Sequence, residues 1–243
     1  MAIPIIPGLK QTTLISLLRP RESFAIAAVE MTTSPTGISI YLENTIQIAD
    51  DKTSRKILEN LSVENVWRWA AGGIGVIIDT LDGTYFICIH KDADAPSYAD
   101  CDTLPSGLSI GVDELIHPDI LAKREANEEL IIMTPNGRIM IEEEDFIETG
   151  AEKTIQIHSP FGVNEVRGII CLDESTNGID YLRVARKTIL FAIADIKITD
   201  GELNGKLDRE IRIYKLDEIP SDGKFTPVTT AVVSAIKHML HST

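Results

Sequence analysis

One stretch constrains this chain more than any other: Arg124-Glu125-Ala126-Asn127-Glu128-Glu129-Leu130-Ile131-Ile132. On a helix, residues three and four apart are neighbours, so Glu125, Glu128 and Glu129 fall on adjoining positions of one surface. Like charges at that spacing repel one another and weaken the helix that carries them. Such a cluster either lies in water as an ordinary solvated face or is balanced by a counter-ion. Hard divalent cations take carboxylate oxygens as ligands, so Mg²⁺ (or Mn²⁺) is the ion that the second reading requires. Taken alone, the run leaves the two readings level.

The segment upstream tips the balance. Residues 104–114 form a loop punctuated by Pro105, Gly107 and Gly111 that closes on Glu114. Pro118 suits the first turn of a helix, where its missing N–H would have no partner anyway. Asp119 suits the positive end of the same helix. The expected order is therefore strand, glycine loop, carboxylate, helix, and then Arg-Glu-x-x-Glu-Glu.

In that order the chain resembles the Nudix hydrolase family, whose box reads G-x5-E-x7-R-E-U-x-E-E-x-G-U, with U a bulky apolar residue. Gly107 or Gly111 stands for the first glycine and Glu114 for the first glutamate. Arg124-Glu125 and Glu128-Glu129 match the second half position by position. The loop half departs from the pattern. Nine residues separate Glu114 from Arg124, Gly107 is one residue further from Glu114 than the pattern asks, alanine stands at 126, and Ile131 stands where the second glycine belongs.

The flanks agree with the resemblance, which covers about residues 68–241. Residues 73–80 are rich in β-branched side chains, Asp82-Gly83 is a hairpin signal, and residues 84–90 read as the returning strand. Residues 188–195 read as a further strand, followed by the segment 210–220. Thr226-Pro227 then opens a C-terminal helix, with Val232, Val233, Ile236, Met239 and Leu240 on a core-covering face. The family implies an α+β fold, an α/β/α sandwich with a mixed sheet flanked by helices, over residues 67–243. Ahead of it, residues 1–66 read as a β-hairpin-plus-helix extension. Its expected elements are a strand over 23–31, a turn over 33–37, strands over 38–42 and 45–48, and a helix over 51–61. An extension that small must pack on its own domain or on a partner subunit. The dimeric ADP-ribose pyrophosphatases of the family point to a homodimer, and a hairpin with no role in assembly is the other reading.

What the resemblance implies chemically is hydrolysis of the diphosphate bridge in a nucleoside diphosphate linked to another group, such as ADP-ribose or a nucleotide sugar. The partner is a small nucleotide-derived substrate. Glu125, Glu128 and Glu129 would hold Mg²⁺ or Mn²⁺, and Arg124 would orient carboxylates, with Glu114 as its expected partner. The segments Asp200-Gly201-Glu202 and Asp208-Arg209-Glu210 bracket a turn, and Glu202 and Glu210 are candidates for the general base. The alternative is a catalytically silent Nudix-fold protein that binds a ligand or regulates. In that reading the variant loop and Ile131 mark the loss of catalysis.

Composition bounds the rest. A net charge of −14 and a pI near 4.8 argue against binding nucleic acid, whose backbone calls for basic surface. No stretch has the length of a membrane span, and the first residues lack a signal-peptide pattern, so a cytoplasmic location is expected. Cys88, Cys101 and Cys171 have no zinc-site spacing, and Cys88 and Cys171 lie in apolar runs as buried thiols. Trp67 and Trp69 are read as packing residues, His117 as a surface residue, and the acidic run 140–148 as a solvated face. Specificity is expected in loops around 91–103, 149–165 and 173–180.

Overall fold

The computed structural model describes residues 24–34, 37–48, 68–95, 98–109, 112–159, 162–173, 178–201, 209–220 and 223–242. The expected 51–61 helix, Trp67, Gly111 and Glu202 lie outside the described residues, as does the Trp69 side chain. The chain divides into two compact units. The first comprises Met1–Gly72, Leu108–Leu121 and Glu152–Tyr181. The second comprises Gly73–Gly107, Ala122–Ala151 and Leu182–Thr243.

In the first unit the strands Phe24–Thr33 and Gly37–Ile48 form an antiparallel hairpin. Ser34 closes its turn by donating its N–H to the Gly37 carbonyl (2.8 Å). The two short strands expected over 38–42 and 45–48 are one continuous strand. It pairs in parallel with Lys153–Ser159, which pairs antiparallel with Gly162–Asp173, so the sheet is mixed. The loop expected around 149–165 is thus largely strand. Thr154-Ile155-Gln156-Ile157 alternates with period two, and the pairing buries both isoleucines. With Ile38, Ile40, Leu115, Leu121, Ile179 and Tyr181 they form one core.

In the second unit, residues 76–80 pair antiparallel with 83–87, Thr80 opposite Gly83, so the expected hairpin turns on Leu81-Asp82 and Gly83 already opens the returning strand. The turn is pinned by the Thr80 hydroxyl, which lies 2.7 Å from Asp82 Oδ1 and 2.8 Å from the Gly83 carbonyl. Strand alternation sends the two sets of side chains to opposite faces. Ile74, Val76, Ile78, Tyr85, Ile87 and Ile89 meet Ala122, Ala126 and Leu130 on one face. On the other, Gly75 lets Val232 approach so closely that a Cβ at 75 would stand 2.5 Å from its Cγ1, with Phe86 alongside. The strand pair is thus covered by the helix Pro118–Glu129 on one side and by Pro227–Ser242 on the other, the expected α/β/α layering. Gly83–His90 also pairs antiparallel with Ile211–Lys215.

The strand expected over 188–195 is not one. The strand is Gly178–Thr188, and Ile193–Asp195 is a single 3₁₀ turn. Phe191 donates back to the Ile189 carbonyl (2.9 Å), a tight bend that leaves Leu190 75 % exposed. The run keeps two backbone bonds to the neighbouring hairpin, Ile189 N–H to the Asp79 carbonyl (2.7 Å) and Leu81 N–H to the Phe191 carbonyl (3.0 Å), but the bend at Leu190 stops it from continuing as a strand. Cys88 and Cys171 are buried and outside any disulfide, as expected, and burial pushes the Cys88 thiol well above its ordinary pKa. Among the described residues no helix is long and apolar enough to cross a membrane.

Candidate active site

The helix Pro118–Glu129 buries one stripe, and the stripe carries two of the three glutamates. Leu121, Ala122, Glu125, Ala126, Glu129 and Leu130 are buried, with Glu125 and Glu129 each only 3 % exposed. A solvated face would leave both in water. Glu128, on the helix shoulder, keeps a side chain 36 % exposed. The helix passes without a loop into the strand Leu130–Thr134, whose neighbour is Lys197–Asp200. Gly201 caps the junction by donating its N–H to the Glu129 carbonyl (3.0 Å). A Cβ on Gly201 would overlap the Glu128 carbonyl, so the close approach comes from this neighbouring segment and not from a glycine at 131.

Each buried carboxylate has a built seat. A Cβ on Gly107 would overlap the Glu125 carboxylate, so a larger residue at 107 would make the loop or the carboxylate shift. One step earlier in that loop, the Ser106 N–H donates to Glu129 Oε2 (2.8 Å). The other oxygen, Oε1, accepts from Arg209 Nη2 (2.9 Å). Arg209 is gripped from behind by Asp200, with Nε donating to Oδ2 and Nη2 to Oδ1, both at 2.7 Å. Burial works against the Arg209 charge, but the bonds to Asp200 and the nearby Glu129 outweigh it and hold the guanidinium pKa above its ordinary value.

Arg124 lies across the other two carboxylates, with Nη1 2.8 Å from Glu125 Oε1 and 2.7 Å from Glu128 Oε2. Glu114 is buried on the short helix Val112–Ile116. Glu210 follows Arg209 in the chain. It is exposed and pairs with Arg212 (2.9 Å). From the two segments singled out around 200 and 209, the structure instead brings in Asp200 and Arg209. No sequence signal picks those two out, since Arg209 and Glu129 are eighty positions apart.

The site suits a hard cation in donor type and in charge. Four carboxylates (Glu125, Glu128, Glu129, Asp200) face two guanidinium groups (Arg124, Arg209), a formal excess of two negative charges. All the anionic donors are oxygens. Among the described residues no three His, Cys, Asp or Glu side chains already converge as a cation site. Arg124 stands between Glu125 and Glu128, and an entering ion would exchange with it for their oxygens.

The acidic run after the helix is matched by its own lysines. Lys123 meets Glu143 (3.0 Å) and Lys187 meets Asp145 (2.7 Å). Asp145 also accepts from the Glu142 N–H (2.9 Å). Asn127, inside the helix motif, binds the Ile141 backbone through both ends of its amide, with Nδ2 to O at 2.8 Å and Oδ1 from N at 2.9 Å. That tie is structural.

The solved structures this chain resembles include Nudix hydrolases. The Nudix hydrolase RenU from M. smegmatis is 14 % identical, with 74 % of this chain and 92 % of that one covered and a TM-score of 0.40. A MutT Nudix hydrolase from Burkholderia pseudomallei is 19 % identical, covering 70 % and 98 %, with a TM-score of 0.36. The Nudix domain of Shewanella oneidensis NrtR, solved with ADP ribose, is 8 % identical, covering 76 % and 97 %, with a TM-score of 0.37. No family model and no curated protein matches the chain. At such identities and TM-scores the likenesses lend no weight to the chemistry, which rests on the residues.

Proposed function

We propose that this chain is a Nudix-type pyrophosphohydrolase that uses a divalent cation to cleave the diphosphate linkage of a nucleoside diphosphate joined to another moiety. The observation that carries this reading is the burial of Glu125 and Glu129 on the inward stripe of the helix, each in a seat made by another segment. Burying ionised carboxylates is costly, and a fold that does so in a cluster with excess negative charge is matched by a site that takes a cation.

A diphosphate concentrates negative charge and repels an incoming hydroxide. Mg²⁺ or Mn²⁺ held by Glu125, Glu128 and Glu129 would neutralise the non-bridging oxygens and lower the pKa of bound water. The chain's own part is positional. Gly107 admits the Glu125 carboxylate, the Ser106 N–H and Arg209 fix the two oxygens of Glu129, and Arg124 aligns Glu125 with Glu128. Glu128 has the most exposed side chain of the three.

One observation favours the catalytically silent reading: Arg124 already satisfies Glu125 and Glu128, which a site without a cation would need. Assay of a panel of nucleoside diphosphate derivatives with Mg²⁺ or Mn²⁺, on the unmodified protein and on Glu128→Gln, separates the two. Metal-dependent turnover that the substitution abolishes supports the hydrolase. Absence of turnover on every compound, with nucleotide binding retained, supports the silent protein.

A further inference from the structure

We propose that Arg209, locked by Asp200, is a positioning residue that orients the Glu129 carboxylate for cation binding. The inference rests on the cation-site reading given under Proposed function and adds a device to it. The two arginines of the site are held differently. Arg124 bonds directly to Glu125 and Glu128 and occupies oxygens that a cation would need. Arg209 reaches one oxygen of Glu129 through Nη2 and commits Nε, and the same Nη2, to Asp200.

The consequence follows from counting charge and lone pairs. A lone arginine beside Glu129 would cancel its charge and spoil it as a ligand. An arginine already forked onto Asp200 forms a pair with little net charge, so Glu129 keeps its own. Each Glu129 oxygen receives one fixed donor, Ser106 N–H on Oε2 and Arg209 on Oε1. A carboxylate oxygen accepts in two directions, so each keeps one for a cation while the plane of the group is set. The Arg209 N–H also points to Asp200 Oδ2 (3.3 Å), which ties backbone and side chain to one acceptor. Asp200 leads into Gly201, whose N–H caps the helix end at Glu129. The clamp therefore acts on the main chain and the side chain of Glu129 together. Partners that orient a metal ligand from behind are worth about 10- to 100-fold in cation affinity.

The test is Mn²⁺ binding to the full chain, read by calorimetry and by the electron paramagnetic resonance of free ion, beside the thermal midpoint of the metal-free protein. The variants are Arg209→Lys, Asp200→Asn, their double, and Arg209→Met. Arg209→Lys keeps the charge and loses the fork, and Asp200→Asn disturbs the fork without touching Glu129. Each is expected to weaken Mn²⁺ binding about tenfold or more, and the double is expected to be no worse than either alone. Unchanged affinity in Arg209→Lys and Asp200→Asn, with or without a lower midpoint, would overturn the inference. So would tighter binding in Arg209→Met, which would make Arg209 a mere competitor of the cation. If Arg209→Met does not fold, the first two variants decide the matter. Absence of Mn²⁺ binding by the unmodified protein would overturn the cation-site reading itself, and this inference with it. Binding by that protein but unchanged variants would overturn the inference alone.

Discussion

Gly107 and the Glu125 carboxylate approach so closely that no side chain fits between them. The relationship joins the glycine loop to the carboxylate helix through one missing methyl group. Gly107→Ala is expected to push the loop from Glu125 and to carry the Ser106 N–H away from Glu129 with it. The strain of one added methyl group is about 1–3 kcal/mol. A displacement on the order of 1 Å in such a site costs roughly 10²-fold in turnover. The check is metal-dependent turnover beside urea unfolding of the metal-free protein. A variant with full turnover would show that the loop does not set the position of Glu125.

A second glycine predicts stability without any catalytic assumption. A Cβ on Gly168 would overlap the Tyr181 ring, which is fully buried. The ring has little freedom to retreat, because Tyr181 Oη lies 2.7 Å from Asp119 Oδ1 and 2.8 Å from the Arg167 carbonyl. Gly168→Ala is expected to cost about 1–3 kcal/mol by overpacking. Tyr181→Phe alone is expected to cost about 1 kcal/mol through the lost hydrogen bond. Once the hydroxyl is gone the ring can shift, so the alanine should cost less in that background. Denaturant unfolding of the four proteins closes the cycle, and strictly additive costs would refute the tether.

How much of this was legible in the sequence depended on how far apart the interacting residues lie. The hairpin of residues 73–90, the helix carrying Glu125 and the C-terminal helix were readable because their signals are local: Asp82-Gly83, the four-residue recurrence of buried positions, and Pro227 in a first turn. The turn of the chain at Phe191 was not, because Ile189, Leu190 and Phe191 have the composition of a strand. Nor was the strand Gly178–Thr188 legible, where charged Arg183, Arg186 and Lys187 break the apolar run. Those charges are absorbed by distant partners: Arg183 lies over the Phe146 ring, Arg186 pairs with Asp79 and Lys187 with Asp145. The same holds at the site. The three glutamates share one helical turn and announced themselves, whereas Arg209 meets Glu129 across eighty positions of sequence.

The pair of Asp79 and Arg186 is sensitive to acid. Arg186 donates from Nε to Asp79 Oδ2 (2.7 Å) and from Nη2 to Oδ1 (2.9 Å), and the Thr84 hydroxyl donates to Oδ1 (2.7 Å). The Arg186 hydrogen bond, offset in part by burial, holds the Asp79 carboxyl below its ordinary value of 3.8. The folded form binds this proton less readily than the unfolded chain, so the pair adds stability above the unfolded pKa and loses it as pH falls through the folded one. Arg186 is 40 % and Asp79 25 % exposed in their side chains, so water screens the pair and the contribution is about 0.2–1 kcal/mol. Asp79→Asn removes it at every pH. The stability gap between the unmodified protein and Asp79→Asn is therefore expected to be full at neutral pH and to close as pH falls through the ordinary carboxylate value of 3.8 and below it. Urea unfolding at several pH values measures the gap. A gap that persists unchanged into acid would mean that asparagine is disfavoured at 79 for its packing and not for its missing charge.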